Sequence, residues 1–212
     1  MSFRVVCIAG PDGSNMHAIG AGVASQLGFT VVDEAIVTRA AAEAGVDPHV
    51  VEDVEKRQTF MARLLDALSS SSDATAHAFG GGVTVFSPTE IPMTEELRGL
   101  IRSAIEETST RGDVVIVAHA ASYALVDQPD VLRVLITASD ETRRARLAER
   151  DDLDEEEAAQ AADESIANRA DYLKRFYGVK EELPTHYDLI VNTDRVSTND
   201  AVALISRAAA VA

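Results

Sequence analysis

Near the start of the chain, the stretch VVCIAGPDGSNMHAIG, Val5 to Gly20, carries residue types that hold a phosphate. An apolar run enters a turn containing Gly10 and Gly13 and continues into a segment with helical spacing. A turn of this kind suits an anion, because its unpaired N–H groups and the positive end of the helix dipole face the same point. The phosphate-binding pattern G-x-x-x-x-G-K-[ST] adds a Lys for the β and γ phosphates and a hydroxyl for Mg²⁺. Laid over that pattern, this loop has Asn15 for the second Gly, Met16 for the Lys and His17 for the Ser or Thr. All three special positions are altered. On the loop alone, a tight strand-to-helix turn is the simpler reading.

A second group of residues lies in the C-terminal half. The stretch VLRVLITASDETRRARLAER sets an apolar run ahead of a helical segment with Arg143, Arg144, Arg146 and Arg150, and a later segment adds Arg169, Lys174 and Arg175. Arg143, Arg146 and Arg150 fall on one helical face at i, i+3 and i+7. Guanidinium groups grouped in this way stabilise the charge of a transferring phosphoryl group bidentately. For any single Arg, a solvated face paired with acids such as Glu149 is the alternative.

The net charge of -16 argues against a general DNA- or RNA-binding role, which needs clustered cations to displace counterions from phosphate. A small anion remains compatible, since local Arg residues act within a Debye length of about 8 Å. No apolar run approaches the roughly 18 residues of a membrane span, and the first residues lack the features of a secretory signal. The expectation is a cytoplasmic protein. A lone Cys7 forms no internal disulfide.

These residues need elements to position them. Continuous apolar runs, expected for strands covered on both faces, occur at Phe3 to Ala9, Thr30 to Val32, Val114 to Ala118, Val131 to Thr137 and Tyr187 to Asn192. Helical spacing occurs at Ala18 to Leu27, Glu34 to Ala44, Pro48 to Leu68, Thr94 to Thr108, Asp140 to Arg150, Glu155 to Tyr177 and Asn199 to Ala210. Alternating strands and helices predict an α/β three-layer sandwich with a parallel sheet of about five strands, the strand at Val114 to Ala118 lying inside it. At 212 residues the expectation is a single domain. An irregular insertion rich in Ser, Gly and Pro is expected near 69–93, either a mobile flap or a solvated connection. The acidic run DDLDEEE, Asp151 to Glu157, sits at the start of a helix, where the dipole favours it.

With these elements in order, the chain resembles the cytidylate kinase-like family, P-loop nucleoside monophosphate kinases. The resemblance is carried by IAGPDGSNMHAIGAGVASQLGFTVVDEAIV, by RGDVVIVAHAASYALVDQPDVLRVLITASDETRRARLAER, and by NRADYLKRFYG with HYDLIVNTDRVS. It implies ATP and Mg²⁺ at Gly10, Gly13, Ser14, Asn15, Met16 and His17, and a nucleoside monophosphate acceptor such as CMP or dCMP. It implies that Asp33 orients the acceptor or Mg²⁺, that His119 contacts substrate, and that Arg146, Arg150 and Arg169 supply catalytic charge from a helical lid region near 143–178. The family favours a Gly-Ser-Gly-Gly-Arg loop; here Asn15 and Met16 replace two glycines, His17 replaces Arg, and Ala118 and His119 stand where Gly and Arg are usual. His17 and His119 are expected to face one crevice. A helix N-cap is the alternative role for Asp33. The rival function class is a non-catalytic nucleotide-binding or structural protein on the same fold.

Overall fold

The structure is a computed structural model that describes residues 3–33, 102, 105–118 and 120–211. The helices expected at 34–44 and 48–68, the irregular segment at 69–93, and His119 lie outside the described residues. Strands β1 (Val5–Ala9), β2 (Thr30–Asp33), β3 (Val114–Val117), β4 (Val131–Thr137) and β5 (Leu189–Asn192) form one sheet in the order β2-β3-β1-β4-β5. Every pairing is parallel. β3 lies inside the sheet, with β1 as the middle strand, and both are buried along their whole length.

Side chains alternate across a strand, so a wholly buried strand needs cover on both sides. On one face Val6, Ile8, Val115, Val117, Val134 and Ile136 pack with Ile19 and Val23 of α1 (Met16–Leu27) and with Ala201 and Ile205. The short helix α2 (Ala121–Ala124) packs against β1, and residues 105–111 are also helical. Burial pushes the Cys7 thiol up to about 12, which makes it a packing group rather than a nucleophile.

The remaining helices are α3 (Asp140–Asp151), α4 (Glu155–Tyr177) and α5 (Thr198–Val211), of which α5 carries Ala201 and Ile205. Their ends follow from local chemistry. The Ser139 hydroxyl accepts from the Thr142 N–H at 3.3 Å, with Asp140 and Glu141 in the first turn and Arg150 in the last. Asp154 and Glu157 form a reciprocal capping box, so the acidic run does start a helix. The strand expected from Tyr187 begins only at Leu189, because 184–186 form a 3₁₀ turn and Tyr187 is buried in side-chain contacts.

Parallel strands place all their C-terminal ends along one edge. The loop after β1, Asp33 at the end of β2, Ser139 after β4 and Thr193 after β5 therefore gather there. β1 leads out to β2 on one side and β4 leads to β5 on the other, so the topological switch point falls between β1 and β4, where such sheets bind ligands.

Candidate functional site

The loop between β1 and α1 lies at this switch point. Its chain bends through Gly13 at φ +79 and Asn15 at φ 70, both left-handed. Gly suits that region freely, and Asn is among the few side-chain residues that tolerate it. The Ser14 N–H donates to the Pro11 carbonyl at 3.2 Å and the Asp12 N–H to the Ser165 hydroxyl on α4 at 2.9 Å. No acceptor among the described residues takes the Gly13 or Asn15 N–H. Unlike α3 and α4, α1 has no side-chain cap, and its first-turn N–H groups likewise have no acceptor among the described residues. The Ser14 hydroxyl is fully buried and finds no partner among the described residues. Gly10 is pressed against the Ile136 carbonyl and this hydroxyl: a Cβ there would lie 2.4 Å and 2.7 Å from them.

The loop is held from behind by α3 and by the turn after β5. A Cβ at Gly13 would meet the Arg143 backbone oxygen at 2.7 Å. Arg143 is itself buried and donates to the Ala162 carbonyl at 3.2 Å and to Asp140 at 2.7 Å. Arg146 donates to the Gly13 carbonyl at 3.0 Å, to the Thr193 hydroxyl at 2.9 Å and to the Thr193 carbonyl at 2.8 Å. The Thr193 hydroxyl lies 3.2 Å from the Ser14 carbonyl and 3.1 Å from that of Thr137. Thr193 and Ser165 were not candidates from the sequence. The available signal for Thr193 was its place directly after the last strand, beside the β4 and β1 ends.

The structure brings His17 and Asp33 together: His17 Nδ1 lies 2.6 Å from Asp33 Oδ2, with the imidazole half exposed. Burial lowers the affinity of His17 for its proton, but the hydrogen bond and charge of Asp33, with Asp12 nearby, outweigh this and Arg150, and hold it above its usual value. Met16 turns the other way, into the core, with 3% of its surface exposed. Arg150 is exposed and donates to both carboxylate oxygens of Asp151, at 2.8 and 2.6 Å. Arg169 is buried and donates to Glu182 at 3.0 Å and to the Tyr187 hydroxyl, which in turn donates to Glu182. Burial raises the Glu182 carboxyl, yet Arg169 and Tyr187 hold it below its ordinary value. Arg146, Arg150 and Arg169 thus have separate partners. His119 lies outside the described residues, so its relation to His17 does too.

The residues fit a phosphate group: unpaired N–H donors, an uncapped helix N-terminus and an orphaned buried hydroxyl converge on one loop. They do not supply a protein-made Mg²⁺ site. His17 stands where the pattern has a hydroxyl and offers no oxygen, Asp33 is engaged with it, and no group of three metal-binding side chains occurs among the described residues.

Comparison with known proteins agrees with this architecture. A family model described as the cytidylate kinase-like family matches residues 5–195. The cytidylate kinase of Ignicoccus hospitalis is 27% identical over 208 residues, covering 96% of this chain and 97% of that protein. The cytidylate kinase of Pyrobaculum neutrophilum is 34% identical over 108 residues, which is 50% of this chain and 58% of that protein. Among solved structures, shikimate kinase from Bacteroides thetaiotaomicron superposes with a TM-score of 0.51 at 13% identity, covering 96% of this chain and 97% of that one. That likeness concerns the fold.

Proposed function

This chain belongs to the cytidylate kinase-like family, and from that premise we propose that its loop from Gly10 to His17 binds the phosphates of a nucleotide, ATP, and that phosphoryl transfer to CMP or dCMP is slow. The observation that supports binding is the paired left-handed conformation of Gly13 and Asn15 ahead of an uncapped α1. Backbone N–H groups in this arrangement contact an anion whatever their side chains are. In this reading α3 and α4 form the lid of one kinase-like domain, and Arg150 is its exposed cation beside the loop. Mg²⁺, when present, travels with the nucleotide and neutralises phosphate charge.

The expected slowness also has a structural basis. A phosphate-binding Lys would extend from position 16, and the Met16 side chain there is packed in the core. Removing one donor that stabilises transferring charge costs roughly 100-fold to 1,000-fold in rate. The same observation favours a second reading, a nucleotide-binding protein without turnover. Calorimetric titration with ATP, CMP and dCMP, with and without Mg²⁺, combined with a coupled assay of ADP release, separates them. Saturable ATP binding with slow, CMP-dependent ADP release supports the first reading, and binding without release supports the second. No binding of any nucleotide overturns both.

A further inference from the structure

We propose that Arg146 and Thr193 are positioning residues for the phosphate loop, fixing the carbonyls of Gly13 and Ser14 so that the Asn15 N–H faces the phosphate. The proposal rests on the nucleotide reading above, and it assigns to these two side chains a task other than touching the ligand.

In a trans peptide the C=O and the following N–H lie in one plane and point in opposite directions. Whatever holds a carbonyl therefore aims the next N–H. Thr193 is 4% exposed and its hydroxyl accepts from Arg146, which leaves its one proton for the carbonyls of Ser14 and Thr137, at 3.2 and 3.1 Å. With the Ser14 carbonyl held on the Thr193 side, the Asn15 N–H is turned to the opposite side, where it has no acceptor among the described residues. Arg146 does the same one peptide earlier. It holds the Gly13 carbonyl at 3.0 Å, which directs the Ser14 N–H to the Pro11 carbonyl and closes the turn.

The geometry also accounts for a loop that keeps its shape with Asn15 and Met16 in place of glycines. A glycine-rich loop reaches the left-handed region without steric cost. Here α3 and the turn after β5 impose that conformation from behind, and Asn15 is a residue that accepts it. Three acceptors are shared by one guanidinium: the Gly13 carbonyl, the Thr193 hydroxyl and the Thr193 carbonyl. A Lys ammonium lacks the planar fork that reaches them together.

The test uses the full chain with Arg146→Lys, Thr193→Val and Thr193→Ser. In ligand-free protein, the order parameters of Gly13, Ser14 and Asn15 amides and the exchange rate of the Ser14 amide are measured against β1 amides, with urea denaturation as the control for folding. ATP affinity is measured alongside. The expectation is that Arg146→Lys and Thr193→Val speed Ser14 exchange about tenfold relative to β1 and weaken ATP binding about tenfold, the size expected for losing one hydrogen bond. Thr193→Ser, which keeps the hydroxyl, should match wild type. Unchanged loop amides in the two disruptive variants overturn the proposal, as does a Thr193→Ser variant that loses as much affinity as Thr193→Val. If Arg146→Lys fails to fold, the Thr193 pair still decides. If wild type binds no ATP, the nucleotide reading falls, and the positioning of the loop is decided by the ligand-free amides.

Discussion

Replacing Gly13 with Ala should destabilise the protein more than replacing Gly28 with Ala, although both glycines have nearly the same backbone conformation. Gly13 has φ +79 and Gly28 has φ +71, so both substitutions incur the left-handed cost of about 1–2 kcal/mol. Their surroundings differ. A Cβ on Gly28 meets nothing within 4 Å, whereas one on Gly13 would lie 2.7, 2.8 and 2.9 Å from the backbone O, Cα and Cβ of Arg143. Backbone atoms of α3 cannot swing aside as a side-chain tip can, so overpacking adds about 1–3 kcal/mol. Gly13→Ala should therefore cost about 2–5 kcal/mol. Gly28→Ala should cost about 1 kcal/mol once the smaller entropy of its unfolded chain is included. At roughly 2–4 °C per kcal/mol for a chain of this size, the first variant melts about 4–20 °C below wild type and the second only a few degrees below. Urea and thermal denaturation followed by circular dichroism read both. Equal losses in the two variants would refute the claim that α3 presses on the loop at Gly13.

Three further outcomes follow. Restoring the loop with Asn15→Gly, Met16→Lys and His17→Thr should tighten ATP binding under matched Mg²⁺, but Met16 leaves the core, so stability should fall by about 2–4 kcal/mol; a folded variant with no gain in affinity contradicts the phosphate-loop reading. Glu182→Ala leaves Arg169 buried without its carboxylate and should cost about 3–5 kcal/mol in urea denaturation, whereas a loss below about 1 kcal/mol would show the pair to be dispensable. His17 is held above its usual value of 6.5 in the folded state, so its pairing with Asp33 contributes fully below that value and is lost as pH rises through the raised one. The stability advantage of wild type over His17→Asn should therefore be larger at about pH 5.5 than at about pH 8.5, and an advantage that grows with pH has the wrong sign.

Much of the fold was legible because burial leaves a plain mark on composition. β1 and β3 are continuous apolar runs buried at every residue, whereas β4 is broken by Arg133 and buried at alternate positions, and the acidic run before α4 marks a helix start that Asp154 and Glu157 do close. Strand and helix limits shifted by a residue or two where a side chain competed. Met16 starts α1 earlier than the spacing suggested because it reaches the core, and Tyr187 leaves the strand because its hydroxyl pairs with Glu182. Parts of the site were less legible for a different reason. One helical face carries Arg143, Arg146 and Arg150, yet the first is bound to a buried carbonyl, the second to the loop and Thr193, and the third to Asp151. Periodicity gives the direction of a side chain but not its partner, and these partners lie 19, 133, 47 and 1 residues away along the chain. The pairing of His17 with Asp33 likewise depends on the α1 start meeting the β2 end, which only the sheet order determines.

The central claim, that backbone N–H groups of the loop hold nucleotide phosphate, is tested most directly by titrating ¹⁵N-labelled protein with ATP and, separately, with pyrophosphate. The account predicts saturable shifts concentrated on the amides of Gly13, Asn15, Met16 and His17 with both ligands, because the phosphate is the shared group. Saturable ATP binding that leaves these four amides unmoved would contradict it.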